Sequence, residues 1–202
     1  MPDVILLSGG IESSTLLHIQ HIQKQLQPVF IDYGQRAGKE EYRAALHQCT
    51  LLGLTLKKLD MAQTGHDFRE GQSKKLHVPL PHRNLIALSL GLSYATQIGA
   101  ERILLALNLE DTQSYPSASS AFIDSFQAMA NVLGNIKIAT PLSSTSKAQI
   151  IRQGIALGVD YAHTYSCLLG YPLHCGHCPQ CLHRREAFSQ AGEQEPVGFY
   201  RA

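Results

Sequence analysis

The stretch that most limits what this chain can become is its opening, Val4-Ile5-Leu6-Leu7-Ser8-Gly9-Gly10-Ile11-Glu12-Ser13-Ser14-Thr15-Leu16-Leu17. Its four leading apolar residues predict a short strand buried on both faces, and the pattern from Leu16, Leu17 and Ile19 onward predicts a helix. Residues 8–14 are then the turn between them. The first amides of a helix lack internal partners and carry partial positive charge, and glycine lets the backbone approach an anion without a Cβ in the way. Ser8, Ser13, Ser14 and Thr15 add hydroxyls. The turn is a candidate phosphate cradle, although neither Gly-x4-Gly-Lys-Ser/Thr nor Gly-x-Gly-x2-Gly is present. For this segment alone, an ordinary Gly-Gly turn with a serine-rich cap is the alternative.

Beyond the turn the alternation of strand and helix continues. Gln27-Pro28-Val29-Phe30-Ile31-Asp32-Tyr33-Gly34-Gln35 predicts a second strand ending in a polar turn, residues 39–52 a helix and residues 54–59 a third strand. Residues 62–78 form a polar excursion without a clean period, expected to be an active-site flap or a weakly ordered loop. A helix over residues 85–98 follows, introduced by Pro81-His82-Arg83-Asn84 with Asn84 as its cap, then a strand over residues 102–108. Residues 118–133 predict a helix, 136–141 a strand and 146–157 a helix. Five strands each followed by a helix predict an α/β fold, a doubly wound parallel five-stranded sheet with right-handed crossovers. Ligands of such sheets lie beyond the carboxyl ends of the strands. Residues 8–14, 32–36, 108–116 and 143–147 are therefore expected to open onto one crevice, with residues 81–84 reaching it.

At 202 residues and 44% hydrophobic content the chain can bury a full core, and a net charge of +1 provides no broad basic field for nucleic acid. No apolar run approaches the roughly 20 residues that span a bilayer, so no membrane partner is expected and a cytoplasmic location is the default. Of five cysteines, Cys167, Cys175, Cys178 and Cys181 crowd together, whereas Cys49 sits alone in a helical pattern as a buried, inert thiol. The Cys-x2-Cys-x2-Cys spacing lets neighbouring thiolates face one ion, and the seven residues before Cys175 let Cys167 supply the fourth corner. Four thiolates describe a closed structural Zn2+ site. A mixed set using His174, His177 or His183, an iron–sulfur cluster, and simple reduced thiols are the alternatives.

The loop resembles the Ser-Gly-Gly-x-Asp-Ser pyrophosphate loop of the N-type ATP pyrophosphatases, with Glu12 in place of the aspartate. Taken with Asp32-Tyr33-Gly34-Gln35-Arg36, Arg83-Asn84-Leu85-Ile86, Ser146-Lys147, Tyr165-Ser166-Cys167 and Cys175-Gly176-His177-Cys178-Pro179-Gln180-Cys181, followed by Arg185 and Ala187-Phe188, the chain resembles the 7-cyano-7-deazaguanine synthase family of queuosine biosynthesis almost end to end. The resemblance implies an adenine nucleotide alpha hydrolase-like fold. Residues 1–160 would be the ATP pyrophosphatase domain, and residues 161–202 a zinc-binding segment packed on it. It also implies an ATP-dependent ligase that adenylates the carboxylate of 7-carboxy-7-deazaguanine or a related acid, admits ammonia to give the amide, and forms 7-cyano-7-deazaguanine by adenylating the amide oxygen and eliminating, or stops at the corresponding amide, with Mg2+ neutralising phosphate charge.

On that resemblance Ser8, Gly9, Gly10, Ser13 and Ser14 bind ATP. Glu12, Arg83 and Lys147 serve catalysis, the two cations through phosphate or carboxylate contacts or else merely solvated. Tyr33, Gln35, Asp111 and Tyr115 touch substrate. The chain departs from the family where Ser117, Ala118, Ser119 and Ala121 replace a carboxylate, a cysteine, an arginine and a glutamate, where Ala37 replaces a histidine, and where His82 replaces a glycine. These changes point to an altered acid or acceptor, with the product an amide to another amine or to a protein acceptor rather than a nitrile. Other readings are a zinc-ribbon module contacting RNA or protein through His183, Arg184 and Arg185, and a tRNA-thiolating relative. A homodimer is compatible with any of them.

Overall fold

A computed structural model of the chain describes residues 1–71 and 80–201. Its sheet has the order β3-β2-β1-β4-β5, formed by β1 (Asp3–Leu6), β2 (Leu26–Asp32), β3 (Lys57–Asp60), β4 (Arg102–Leu104) and β5 (Lys137–Ala139). Every pairing is parallel, with Val4 opposite Gln27 on one side and Ile103 on the other. The doubly wound α/β sheet expected from the sequence is therefore present. Chain direction across the sheet reverses between β1 and β4, so a crevice opens at their carboxyl ends.

Period-two alternation along β1 explains the two cores. Ile5 and Leu7 pack with α1 (Ile11–His21), α7 (Lys147–Ala156) and α8 (Pro179–Ala191). Val4 and Leu6 pack on the opposite face with Leu88, Leu92 and Ala95 of α4 (Arg83–Ile98) and with Phe126 and Ala130 of α6 (Ser120–Leu133). Burying apolar side chains on both faces makes β1 the axis of the molecule, and the loop that follows it inherits that rigidity.

Four local differences from the sequence expectations have identifiable causes. The excursion begins as a helix, α3 (Ala62–Arg69), capped at Met61 with Asp60 Oδ1 accepting the Ala62 amide at 3.0 Å just ahead of it; residues 72–78 of the excursion lie outside the described residues. A Cβ on Gly65 would lie 1.7 Å from the Tyr33 carbonyl, so α3 sits directly on the turn after β2. The strand expected over residues 102–108 ends early because Asn108 caps α5 (Leu109–Ser114) in a capping box with Asp111. At α4 the cap is His82 rather than Asn84. His82 adopts a left-handed φ of 56°, where glycine would be cheaper, while Asn84 Nδ2 donates to the Ser117 carbonyl at 2.9 Å. Finally, the helix over residues 118–133 is preceded by a 3-10 turn, Pro116–Ala118, and starts at Ser120 with Ser119 as its cap.

Among the described residues no helix is long and apolar enough to cross a membrane.

Candidate active site

α1 begins at Ile11 directly after Gly10, and its first internal hydrogen bond runs from the Ser14 amide to the Gly10 carbonyl at 3.1 Å. The preceding helical amides have no carbonyl available one turn back, so they face outward as donors. The loop is braced from within. The Ser8 amide donates to Ser13 Oγ at 3.2 Å, and the two hydroxyls lie 3.0 Å apart. Gly9 has φ +77°, and a Cβ there would come within 2.5 Å of the Glu41 carbonyl on α2 (Gly38–Leu51). Glycine is therefore required at position 9 both by conformation and by packing. Gly10 has ordinary φ, and a Cβ would meet nothing nearer than 3.4 Å, so its bare Cα leaves space on the crevice side.

A cavity of about 200 Å³ opens over this loop, lined by Ser8, Gly10, Glu12, Tyr33, Gln35, Arg36, Glu41, Arg83, Lys147 and Ser166 among others. The structure thus brings Ser8, Gly10, Glu12, Arg83, Lys147, Tyr33 and Gln35 together from four separate segments. Gly9, Ser13 and Ser14 belong to the loop but are buried; Ser13 braces Ser8, and the Ser14 hydroxyl has no hydrogen-bond partner. Asp111 and Tyr115 are not among the lining residues. Asp111 completes the α5 capping box, accepting the Asn108 amide at 3.3 Å, and Tyr115 is exposed.

Glu12 is the electrostatic centre of the crevice floor. Lys147 Nζ lies 2.8 Å from its Oε1, and Asn108 Nδ2 donates to the same oxygen at 2.9 Å. Burial pushes the Glu12 carboxyl upward, but the Lys147 charge and hydrogen bond outweigh it and hold the group below the usual carboxylate range. Burial alone would lower Lys147, yet Glu12 raises it, so both stay charged. Asp111 is pushed up, first by burial and then by the Glu12 charge. Tyr33, raised to about 12 chiefly by burial, stays neutral with its hydroxyl 3.4 Å from Arg83 Nη1. Arg69 donates to the Gly34 carbonyl, so α3 fastens the Tyr33 turn.

The cysteine segment forms a wall of the same crevice, which its spacing alone could not reveal. The Tyr165 amide donates to the Gly9 carbonyl at 2.8 Å, and Ser166, Leu168 and Gln180 line the cavity. Cys167, Cys175, Cys178 and Cys181 are buried with their sulfurs within 4.8 Å of one another. Cys175 and Cys181 Sγ are 3.8 Å apart and Cys178 and Cys181 Sγ 3.4 Å apart. A tetrahedral ion with metal–sulfur bonds of about 2.3 Å needs sulfurs about 3.8 Å apart, so the donor set fits a single ion. Amides of Cys175, His177 and Cys178 point at the sulfurs, which suits thiolates. His174 is not part of the sulfur cluster: its Nε2 accepts the Ser166 amide at 2.8 Å. Arg184 is wholly buried on α8, donating to Glu195, Thr164 and the Tyr161 carbonyl.

Comparison with known proteins matches this architecture. Residues 3–192 match the family described as queuosine biosynthesis protein QueC. The chain is 32% identical over 201 residues to 7-cyano-7-deazaguanine synthase 1 of Sulfurisphaera tokodaii, covering 98% of each chain. It is 36% identical over 222 residues to the 7-cyano-7-deazaguanine synthase of Methylococcus capsulatus, again covering 98% of each. Among solved structures it superposes on the U34-tRNA thiolase NcsA of Methanococcus maripaludis, with its [4Fe-4S] cluster, at TM-score 0.62 and 14% identity, over 95% of this chain and 70% of that one. It superposes on NMN synthetase of Francisella tularensis at TM-score 0.56 and 14% identity, over 98% and 79%. The two structural likenesses show the fold alone. The near-complete family match and the full-length relatives above 30% identity go further: this chain belongs to the QueC family of queuosine biosynthesis proteins.

Proposed function

We propose that the crevice adenylates a carboxylate, that of 7-carboxy-7-deazaguanine or a related acid, and joins the activated acyl group to ammonia or another amine. The observation that carries this reading is the meeting of the helix-start amides of residues 11–13 with the cations Arg83 and Lys147 over one cavity. Backbone donors and the helix dipole suit the β and γ phosphates. Arg83 would neutralise charge as the carboxylate attacks the α-phosphorus and pyrophosphate departs. Magnesium, when bound with the nucleotide, would offset phosphate charge; Glu12 is already committed to Lys147 and Asn108, so its task is to fix Lys147 rather than to offer a free carboxylate. Zinc in Cys167, Cys175, Cys178 and Cys181 would contribute folding energy and hold the Tyr165–Ser166 wall against the loop. We read residues 1–160 as the ATP-using unit and 161–202 as its metal-stapled appendage.

We favour an amide product over a nitrile because residues 117–121 have lost the charged groups of the family pattern, although they are not among the residues that line the cavity. Ser117 offers its carbonyl to Asn84, Ala118 is buried in the apolar core, Ser119 caps α6 and Ala121 is exposed, so no charged group arises there. A non-catalytic RNA or protein module has less support, since Arg184 is turned inward and Arg185 is stacked on Tyr200 at 3.9 Å. Incubation with ATP, magnesium, the carboxy-deazaguanine and ammonia tests the reading. AMP with amide supports it, AMP with nitrile assigns the ordinary synthase, and no AMP with this acid or its analogues refutes it.

A further inference from the structure

The crevice holds a second carboxylate for which nucleotide binding has no use. Glu41 stands in the first turn of α2, its carbonyl directly beneath Gly9, and its side chain lines the cavity with Ser8, Gly10, Arg83 and Lys147. Lys147 compensates Glu12, but Glu41 Oε2 accepts a hydrogen bond from the neutral amide of Gln35 at 2.9 Å. Around it lie Asp32 and Tyr33 from the end of β2, Arg83 from α4 and Tyr165 from the cysteine segment. A carboxylate facing a phosphate site repels the nucleotide unless its partner is a cation. In the reaction proposed above, the second substrate is a cation, because ammonia and alkylamines are protonated at neutral pH.

We propose that Glu41 receives the amine: its carboxylate pairs with the incoming ammonium, takes one proton from it and presents the neutral nitrogen to the acyl adenylate. The nitrogen lone pair forms the C–N bond while the bond from carbon to the AMP oxygen breaks, AMP leaving with that electron pair. The second proton passes from the new amide nitrogen to solvent, and Glu41 returns its own proton there. Burial lifts Glu41 to about 7, against the Gln35 hydrogen bond and the Arg83 charge and with Asp32 adding to the rise. A base with this affinity for protons works best near neutral pH. The proposal rests on the acid-activation reading.

The test separates the two half-reactions in wild type, Glu41→Gln and Glu41→Asp. Acid-dependent exchange of labelled pyrophosphate into ATP reports activation without any amine. Product formation with ammonium chloride reports amine transfer. Hydroxylamine, already neutral near pH 7, reports transfer that needs no prior deprotonation. For Glu41→Gln the ratio of product formation to exchange should fall about 100-fold with ammonium. It should recover at least tenfold with hydroxylamine, with Glu41→Asp in between. The wild-type transfer step should rise with pH through an inflection near 7 that Glu41→Gln lacks. An unchanged ratio, or a ratio equally low with hydroxylamine, overturns the assignment. Absence of exchange in the wild type would instead overturn acid activation itself, before any variant is compared.

Discussion

Lys147 and Glu12 offer the sharpest test of how the crevice is held together. The pair is 2.8 Å apart, with side chains 16 and 17% exposed. Lys147→Met keeps most of the stem and deletes the charge, leaving Glu12 with Asn108 at 2.9 Å. Removing one partner of a fully buried pair costs about 3–5 kcal/mol, and an exposed pair is worth about 0–1. At this intermediate burial we expect about 2 kcal/mol, or about 4–8 °C in Tm for a chain of this size. The pH dependence has a definite sign. In the wild type Glu12 is held below its ordinary value, so its contribution is present above the unfolded pKa and is lost as pH falls through the folded one. In Lys147→Met the upward push of burial, the largest influence on Glu12, is opposed only by the Asn108 and backbone hydrogen bonds, so Glu12 takes up a proton more readily when folded. The penalty should therefore be largest at pH 7 and shrink toward pH 5. Glu12→Gln/Lys147→Met should be less destabilised at pH 7 than Lys147→Met, since both charges are gone. Thermal and urea melts of the wild type, Lys147→Met, Glu12→Gln and the double variant from pH 5 to 7.5 measure these effects. A penalty that ignores pH, or strictly additive variants, would refute the pairing.

Further outcomes follow from the same geometry. Gly9→Ala should lose at least about 1–2 kcal/mol in urea unfolding from left-handed strain, and more from the 2.5 Å approach to Glu41 O, whereas Gly10→Ala should fold normally yet bind ATP more weakly by calorimetry. Metal analysis of the purified chain should find one zinc per chain in a colourless protein, and visible absorption from an iron–sulfur cluster would refute the single-ion site. Cys181→Ser should lower Tm and loosen the wall that carries Ser166. Arg184→Met should cost about 3–5 kcal/mol in urea melts, because Glu195 and the Tyr161 carbonyl lose a buried donor.

The parts of this fold that could be read in advance are those set by short-range pattern. Val4 to Leu7 alternates between two cores and is therefore apolar throughout, and residues 8–10 and the cysteine spacing are local geometry. What escaped was in one case local and otherwise depends on contacts distant in sequence. Asn108 looks like the end of an apolar strand until its capping box with Asp111 is seen, although the Asn-x-x-Asp spacing was a usable signal. Ala62–Arg69 forms a helix without a clear apolar period because it rests on the Tyr33–Gly34 turn. Distance in sequence likewise hid Glu41 and Ser166 as crevice residues, since α2 and the cysteine segment reach the loop only through the tertiary fold. Tyr115, conversely, matched a family position yet stands exposed outside the cavity lining.

The most direct measurement is the isotope exchange of pyrophosphate into ATP by the wild-type chain with magnesium, with and without 7-carboxy-7-deazaguanine. Exchange that appears only with the acid, and that Lys147→Met reduces, is the expected result. Acid-independent exchange, or none with this acid or its analogues, would contradict carboxylate activation over residues 8–14.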